Sequence, residues 1–412
     1  MLENIKNFDN YPLISGIFDM IRSTASSYIC AYTIQAEKTG SLQKTENLNN
    51  YKKGVLLLNQ LIERRKVTAR KEKPDSASLG FGKYFTDYMF VMDYEEERGW
   101  HDPRITPYEP IHLDPSASVF HYGQAVFEGL KAYRSEDGRV LMFRPDQNIK
   151  RLNKSLRRMS MPPLDEKLAL EALIQLVELE QEWIPIEKGT SLYIRPFVIA
   201  TEPSLGVRPS KRYKFMVVLT PVGSYYGDQL KPIRIYVEDE YVRAVTGGVG
   251  DVKTSGNYAA SLQAQRKAEE LGYDQVLWLD GVEKKYAEEV GSMNIFFIIN
   301  GEAVTPALNG SILGGITRAS VIELLKSWGI RVREEQVAID DIYEAAMRGE
   351  VSEVFGTGTA AVISPVGALH IHGETIELNN GLIGEVSERL YETIAGIQVG
   401  KVRDSFRWVV EV

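Results

Sequence analysis

The chain has 412 residues, of which 44% are hydrophobic, 25% charged and 10% aromatic, and these values are ordinary for a globular protein. The 48 Lys and Arg residues against 56 Asp and Glu residues give a net charge of −8, which argues against a general nucleic-acid-binding protein. The single cysteine, Cys30, excludes an intrachain disulfide and a zinc site built from several thiolates. No apolar run approaches the ~18–20 residues that a membrane helix needs. We therefore expect a cytoplasmic protein with neither a nucleic-acid nor a membrane partner.

The first 73 residues show the features of neither a secretory signal nor an organellar transit peptide. Residues 64–73 form a charge run that ends at Pro74, and such a run is typical of a solvated linker. We therefore expect residues 1–73 to be an N-terminal extension outside the folded domains. Its composition leaves open whether it is disordered or partly helical around residues 52–66.

From residue 79 onwards the sequence alternates between predicted strands, turns and helices. Asp137-Gly138 predicts a hairpin turn in the first half of the chain. Four segments of this half are predicted to be strands from their β-branched, aromatic and apolar content: 88–93, 140–143, 191–200 and 214–222. Two segments have apolar residues at helical spacing: 147–159 and 166–183.

A polar and aromatic stretch followed by Pro232 is the best candidate for an internal boundary. We predict a small α+β domain at 74–224, a linker at 225–232 and a larger domain at 233–412. The predicted strands of the second half are 233–237, 276–280, 294–299 and 351–355, and the predicted helices are 259–271 and 316–328. Because hairpins accompany helices in both halves, two α+β domains are expected rather than one parallel sheet.

Two glycine-containing segments could bind an anion. Gly356-Thr357-Gly358 is predicted to be a loop after a strand, and it resembles half of a dinucleotide fingerprint, but the repeating βαβ context is missing. Gly314-Gly315 precedes the predicted helix that starts at Ile316. The first N–H groups of a helix lack intrahelical partners and bind phosphates readily, although an ordinary helix start remains the alternative.

A lysine and a glutamate are the candidates for covalent and electrostatic chemistry. Lys253 lies in a glycine-rich turn, whose small residues would leave room for a cofactor ring. A desolvated lysine can lose its proton and attack a carbonyl, although most lysines are simply solvated. Glu289 precedes a predicted strand, where a carboxylate needs a partner such as the ring nitrogen of pyridoxal phosphate. The five histidines lack metal-binding spacing, so no metal site is predicted.

Several motifs in a fixed order make residues 79–412 resemble the branched-chain amino acid aminotransferases, which are fold-type IV pyridoxal-phosphate enzymes of the class IV aminotransferase family. The motifs are His121-Tyr122-Gly123, Phe127-Glu128-Gly129-Leu130-Lys131, Tyr193-Ile194-Arg195, Glu202-Pro203-Ser204-Leu205-Gly206, Glu289-Val290-Gly291-Ser292 and Phe355-Gly356-Thr357-Gly358-Thr359-Ala360. The resemblance implies a two-domain α+β fold with the cofactor between the domains, and at least a homodimer. It also implies reversible amino transfer between leucine, isoleucine or valine and 2-oxoglutarate.

The same resemblance implies roles for individual residues. Lys253 would form the Schiff base with pyridoxal 5′-phosphate, Glu289 would hold the pyridine nitrogen and Tyr258 the 3′-oxygen of the ring. The implied phosphate contacts are Arg151, Ile316, Thr317 and Thr359. The implied substrate residues are Tyr122, Phe127, Tyr193, Arg195, Tyr225, Ser292 and Ala360, with Arg195 and Tyr193 available for the side-chain carboxylate of glutamate. Vertebrate members have a CxxC pair where this chain has Ala361 and Ser364, so thiol switching at this position is not expected.

Two alternatives remain beside this interpretation. A D-amino acid aminotransferase or an aminodeoxychorismate-lyase-like enzyme would have the same fold, but such enzymes are generally shorter. A dinucleotide-dependent oxidoreductase built on residues 356–361 would belong to a different class. An absorbance band of bound pyridoxal phosphate that borohydride abolishes would support an enzyme of the same fold and argue against the oxidoreductase.

Overall fold

Two β-sheets organise the chain in the computed structural model, which describes residues 62–225 and 230–412. The strands assigned to the first sheet are β1 (Glu63–Arg64), β2 (Tyr88–Glu95), β3 (Gly99–Pro107), β4 (Ala125–Phe127), β5 (Leu130–Arg134), β6 (Val140–Phe143), β7 (Ser191–Ala200), β8 (Arg212–Val222) and β19 (Val409–Glu411). From β3 onwards their order in the sheet is β3-β2-β8-β7-β5-β6-β19, with β4 also paired to β7. The C-terminal strand therefore returns to the sheet formed by the first half of the chain.

The second sheet has the order β14-β13-β12-β16-β17-β9-β10-β11-β15, with β18 beside β17. Its strands are β9 (Ile233–Glu238), β10 (Gln275–Leu279), β11 (Tyr286–Val290), β12 (Met293–Ile299), β13 (Glu302–Pro306), β14 (Val332–Glu335), β15 (Val337–Ala338), β16 (Val351–Gly358), β17 (Val362–Ile371) and β18 (Glu374–Glu377). Most neighbours are antiparallel, but β9 is parallel to both β10 and β17. This mixed α+β architecture confirms the predicted fold class.

The α-helices of the described residues pack on these sheets: α1 (Ser118–Tyr122), α2 (Pro145–Arg158), α3 (Glu166–Leu179), α4 (Ser255–Ala259), α5 (Leu262–Glu270), α6 (Ile316–Ser327), α7 (Ile339–Met347) and α8 (Glu385–Gln398). Within the described ranges, none of them is long and apolar enough to cross a membrane. The start of α3 is fixed by Asp165, whose carboxylate accepts a hydrogen bond of 2.8 Å from the Leu168 N–H.

Strand β12 shows why the second sheet is buried on both faces. Its side chains alternate, so that Ile295 and Phe297 join one apolar cluster while Phe296 and Ile298 join another on the opposite face. Phe296 stacks on Phe355 of β16 with the ring centroids 5.3 Å apart. The apolar clusters on the two faces fix the positions of β11, β16 and α6 relative to one another. The candidate site is built from these elements.

The predicted strands and helices are present, with two differences of detail. Gly356 and Gly358 are not in a loop but pair with Ser364 and Val362 inside the β16–β17 ladder. A Cβ atom at position 356 would lie 3.0 Å from the side chains of Met293 and Val290, so glycine allows these side chains to pack closely against β16. The helix predicted at 259–271 is present as α5 but begins only at Leu262, after the separate short helix α4. The boundaries of the two domains and of the 225–232 linker stay a prediction.

Residues 64–73 differ from the solvated linker that their charge run predicts. Arg70 pairs with the buried Asp87 at 3.0 Å, and the Lys71 N–H donates to the same carboxylate at 2.8 Å. The Lys71 ammonium also donates to the Thr86 carbonyl at 2.8 Å. A compact unit that extends to Val412 begins at Arg64. Basic residues of this segment thus neutralise a buried carboxylate, while residues 1–61 of the predicted extension lie outside the described residues.

A second buried carboxylate, that of Glu180, lies beside this cluster. Its side chain is fully buried, and Arg70 approaches it to 3.4 Å. Burial, followed by the charge of Asp87, raises the pKa of Glu180 to about 7. A carboxyl group that prefers its protonated form in the folded state makes stability depend on pH.

We expect Glu180→Gln to stabilise the protein at pH 8 and to change little at pH 5. In the unfolded chain a glutamate ionises near pH 4.3, so the stabilisation from Glu180 is complete below that pH and is lost as the pH rises to about 7. The variant should remove this loss, which is on the order of 2–3 kcal/mol. Urea unfolding at both pH values measures the difference. Glu182→Gln, at an exposed position, is the control, and an equal effect of Glu180→Gln at the two pH values would contradict the prediction.

Candidate active site

The backbone around Lys253 is held against the first sheet. Val126 of β4 and Thr254 form an isolated antiparallel bridge, and the Phe127 N–H donates to the Lys253 carbonyl at 3.0 Å. The Thr254 hydroxyl donates to the Ala125 carbonyl at 2.8 Å. Because these contacts fix the residues on either side of the side chain, the direction of Lys253 is set by β4.

The Lys253 amine lies beside two aromatic rings, those of Phe127 and Tyr258. Its Nζ donates to the Tyr258 hydroxyl at 2.6 Å and lies 4.9 Å from the centre of the Phe127 ring. The two rings meet edge to face with centroids 4.8 Å apart. Burial, followed by the positive charge of Arg151, lowers the pKa of Lys253 to about 8. A substantial fraction of this amine is therefore neutral near physiological pH, as a nucleophile or base requires.

The glycine-rich turn before Lys253 serves close packing. A Cβ atom at Gly250 would overlap the Ser311 carbonyl oxygen and the Ala244 side chain. The turn therefore lies directly against residues 309–313, and these residues lead into α6. The open space expected from the small residues is partly filled by this loop.

Arg151 of α2 is fixed by a buried carboxylate. Its Nε and Nη2 atoms contact the two oxygens of Glu128 at 2.7 and 2.9 Å, and its Nη1 donates to the Gly314 carbonyl at 3.2 Å. Burial acts to raise the pKa of Glu128, but Arg151 overcomes it and holds that pKa below its usual range. Asn148 adds a hydrogen bond of 2.8 Å to the same carboxylate. The guanidinium is thus held at the start of α6.

The N-terminus of α6 lies next to Arg151, and together they form a candidate anion pocket. The residue before the helix, Gly315, has no side chain to cap the first N–H groups at Ile316 and Thr317. The Thr317 side chain is buried. Across the pocket, the Thr359 hydroxyl donates to the Gly129 carbonyl at 3.2 Å. The four predicted phosphate contacts therefore lie on elements that Arg151 and Gly129 bring together.

Glu289 is buried on β11, where it pairs in register with Trp278 and Asn294. One carboxylate oxygen accepts a hydrogen bond of 2.8 Å from the Leu313 N–H. The other lies 3.1 Å from Nε of Arg243. Burial raises the pKa of Glu289, and the charge of Arg243 opposes this effect. The negative charge of Glu289 acts to raise the pKa values of both Lys253 and Tyr258. The three side chains are therefore near one another.

Arg195 and Tyr193 lie on the same face of β7 beside this group. Nη2 of Arg195 donates to the Tyr193 hydroxyl at 3.1 Å, and the guanidinium carbon lies 4.8 Å from the centre of the Phe127 ring. Among the described residues, Nε of Arg195 is buried without a hydrogen-bond partner. A cation with a free donor next to Phe127 and Lys253 is suited to receive a carboxylate.

Three predicted substrate residues occupy exposed positions instead. The Tyr122 hydroxyl donates to the Leu205 carbonyl on the surface, and Ser292 lies in the exposed turn between β11 and β12. Tyr225 is half exposed and borders a cavity of about 620 Å³ that Ala360 also lines. Of the predicted substrate residues, Phe127, Tyr193 and Arg195 are therefore the ones that contact each other beside Lys253.

Three charged residues of the site received no role from the sequence. Glu128 holds Arg151, Arg243 pairs with Glu289, and the buried Lys131 donates to the Ala360 carbonyl at 2.9 Å. Burial lowers the pKa of Lys131 to about 8. Glu128 and Lys131 belong to the motif Phe127-Glu128-Gly129-Leu130-Lys131. Because a buried charged residue needs a partner, charged residues within this apolar segment could have indicated that each has one. Within the described ranges, no group of three or more His, Cys, Asp or Glu side chains is placed to hold a metal ion.

Comparison with known proteins agrees with this geometry. Residues 125–369 match the family model of the class IV amino-transferases. The chain is 75% identical over 356 residues to branched-chain-amino-acid transaminase 1 of Bacillus subtilis, an alignment that covers 86% of this chain and 100% of the relative. It is 60% identical to branched-chain-amino-acid aminotransferase 2 of the same organism, over 86% of this chain and 97% of the relative.

Solved structures show the same relationship at lower identity. The branched-chain amino acid aminotransferase of Escherichia coli is 27% identical with a TM-score of 0.65, over 78% of this chain and 98% of that one. The branched-chain amino acid aminotransferase of Thermoproteus uzoniensis, solved with norvaline, is 25% identical with a TM-score of 0.65, over 79% of this chain and 99% of that one. The chain belongs to the branched-chain-amino-acid aminotransferases of the class IV aminotransferase family.

Proposed function

We propose that this branched-chain aminotransferase transfers amino groups reversibly between leucine, isoleucine or valine and 2-oxoglutarate, with pyridoxal 5′-phosphate as cofactor and Lys253 as its anchor. One observation carries the proposal: a lysine of lowered pKa contacts Tyr258 between an anion pocket and the buried Glu289. The Bacillus subtilis relatives are named for the amino-acid class. Another branched-chain amino acid aminotransferase of similar structure, 27% identical to this chain, was crystallised with pyridoxamine 5′-phosphate, which supports the choice of cofactor.

The residues present fit this cofactor. Arg151, the first N–H groups of α6 and the Thr317 hydroxyl are donors for a phosphate. The Thr359 hydroxyl donates to the Gly129 carbonyl in this structure and would have to turn its proton to the phosphate. Within the described residues, the Thr357 hydroxyl, two residues before Thr359, is buried without a hydrogen-bond partner and would be one more donor. Glu289 would hold the ring nitrogen and Tyr258 the ring oxygen. When bound, the cofactor supplies an aldehyde carbon and an electron-withdrawing ring that stabilises negative charge at the substrate Cα.

Lys253 moves the proton in the reaction that we propose. Because burial lowers the pKa of its amine to about 8, it can take a proton from the substrate Cα and return it on the other side of the transfer. Tyr258 holds the amine at 2.6 Å. Arg243 and the Leu313 N–H oppose the effect of burial and favour the ionised form of Glu289, whose negative charge would favour a proton on the ring nitrogen.

The substrate side combines apolar and cationic surfaces. The rings of Phe127 and Tyr193 suit an aliphatic side chain, and Arg195 lies over both rings. One methylene group changes binding by only ~1–3 kcal/mol, so the three branched-chain substrates should not be sharply separated. The side-chain carboxylate of glutamate would pair with the guanidinium of Arg195 in the same space.

A cytoplasmic homo-oligomer, at least a dimer, is part of the proposal, with small amino acids and 2-oxo acids as ligands. Support for assembly comes from large side chains exposed around the Tyr122–Leu205 contact. Phe120 is 62% exposed and Val207 is 85% exposed. Neighbouring exposed apolar side chains of this kind commonly mark a protein–protein contact. The oxidoreductase alternative loses its basis, because Gly356 and Gly358 pair within β16 and open no helix.

We expect Lys253→Ala to abolish transamination and cofactor anchoring together. Loss of the acid–base group alone costs ~10²–10⁴-fold in rate. The measurement is the rate with leucine and 2-oxoglutarate, combined with the near-visible absorbance of bound pyridoxal phosphate. Lys401→Ala, which removes an exposed lysine paired to Glu136, is the control. Near-normal turnover by Lys253→Ala would refute the assignment.

We expect Glu289→Gln to reduce kcat strongly while affinity for the cofactor changes much less. The variant removes the negative charge at the ring nitrogen but leaves Arg151 and the α6 N-terminus intact, so a loss of about 10²-fold in kcat is expected. Steady-state kinetics and cofactor titration followed by fluorescence measure the two quantities. A variant that loses the cofactor, while its remaining holoenzyme is fully active, would reverse the proposed role.

We expect Arg195→Gln to raise KM for glutamate and 2-oxoglutarate by roughly 10–150-fold, since a charge-assisted pair is worth ~1.5–3 kcal/mol. KM for leucine should change little, because its side chain has no charge. Half-reaction kinetics with each amino acid separate the two effects. Arg266→Gln, at an exposed helix position, is the matched control. Equal impairment of both half-reactions would instead assign Arg195 a structural role in β7.

A further inference from the structure

Two consecutive carboxylates, Glu288 and Glu289, are buried on β11, each with 3% of its surface exposed. Successive side chains of a strand point to opposite faces, so the two groups serve different surroundings. The proposed reaction uses Glu289 only. Burial of a second charged group beside it is costly unless that group has partners and a role.

The partners of Glu288 lie in the loop of residues 309–313. Its Oε1 accepts a hydrogen bond of 3.2 Å from the Asn309 amide and a second from the Ser311 hydroxyl. Ser311 is fully buried, and its N–H donates to the Asn309 side chain at 3.0 Å. Glu288 therefore holds this loop at its centre.

The same loop supplies one partner of Glu289 and holds a second, while a third partner, the Asn294 amide of β12, donates at 3.4 Å. The Leu313 N–H donates to Glu289 at 2.8 Å. The Ser311 carbonyl accepts from Nη2 of Arg243, whose Nε lies 3.1 Å from the second Glu289 oxygen. Ser311 also packs so closely against Gly250 that a Cβ atom there would overlap its carbonyl oxygen. A displacement of Ser311 would consequently disturb the contacts of Glu289 with Leu313 and Arg243.

We propose that Glu288 is a positioning residue for Glu289: through Ser311 it fixes the loop that presents the Leu313 N–H and the Arg243 guanidinium to that carboxylate. The inference rests on the proposed role of Glu289 at the ring nitrogen. The charge of Glu288 has a separate effect on the pKa of Glu289. Burial raises this pKa and Arg243 lowers it; the negative charge of Glu288 has a smaller effect, which raises it.

Three variants separate the hydrogen bond from the charge. Glu288→Gln keeps an oxygen that accepts from the Ser311 hydroxyl but removes the charge. Glu288→Ala removes both, and Ser311→Ala removes the hydroxyl while keeping the charge and the Ser311 carbonyl. Glu283→Ala, at an exposed position in the turn before β11, is the matched control.

The first measurement is hydrogen–deuterium exchange of the holoenzyme in the peptide that contains Leu313. Loss of one buried hydrogen bond should accelerate exchange of this amide about two- to tenfold in Glu288→Ala and Ser311→Ala. Glu288→Gln and Glu283→Ala should exchange as the wild type does. The amides of β17 serve as an internal reference for global unfolding and should not change.

The second measurement separates kcat from KM. In Glu288→Ala and Ser311→Ala, kcat for leucine should fall about two- to tenfold while KM stays within about twofold, and Glu288→Gln should recover most of kcat. Unchanged Leu313 exchange in both variants, or an effect on KM alone, would overturn the proposal. If Glu288→Ala does not fold, Ser311→Ala decides. A wild type that does not bind pyridoxal phosphate through Lys253 would refute the proposed function, whereas the exchange result still tests the loop contact.

Discussion

The buried ion pair between Glu128 and Arg151 is the interaction on which the site depends. Glu128 has no exposed surface, and Arg151 meets it with two nearly parallel hydrogen bonds while also reaching the Gly314 carbonyl before α6. The pair therefore ties the first sheet and α2 to the elements of the second sheet. Removing one partner of such a pair leaves an uncompensated buried charge and costs ~3–5 kcal/mol. This pair therefore fixes the Arg151 guanidinium at the start of α6.

Further contacts around this pair join the two sheets at several points. Thr359 donates to Gly129, and the buried Lys131 ammonium donates to Ala360, so the turn after β16 is held at two consecutive residues. The carbonyl of Lys253 is held by the Phe127 N–H on the opposite side. The site consequently lies where the two sheets meet and not within one sheet. Its hydrogen-bond donors are fixed by these contacts before any ligand binds. Preorganisation of this kind is what makes electrostatic stabilisation effective in catalysis.

The elements that were predicted have a strong local period or a clear turn, whereas others, such as β17, α7 and α8, were not predicted. The predicted hairpin turn at Asp137-Gly138 joins the antiparallel strands β5 and β6, and Gly138 has a positive φ of 86°. The roles of Glu128, Lys131 and Arg243 were not predictable, because their partners lie at distant positions such as Arg151, Ala360 and Glu289. The segment 64–73 was misjudged for the same reason: its charges have specific buried partners, Asp87 among them, that no local pattern reveals.

The balance of charge explains how an acidic protein presents a cationic site. Glu128 is occupied by Arg151, and Glu289 is occupied by Arg243 and the Leu313 N–H. Lys253 and Arg195 have no carboxylate partner at ion-pair distance within the described residues, and their neighbours are aromatic rings. In a low-dielectric setting these cations attract anions more strongly than they would in water. In the proposed function, these cations would attract the second carboxylate of glutamate or 2-oxoglutarate, and the aromatic rings would contact the aliphatic side chains in the same space.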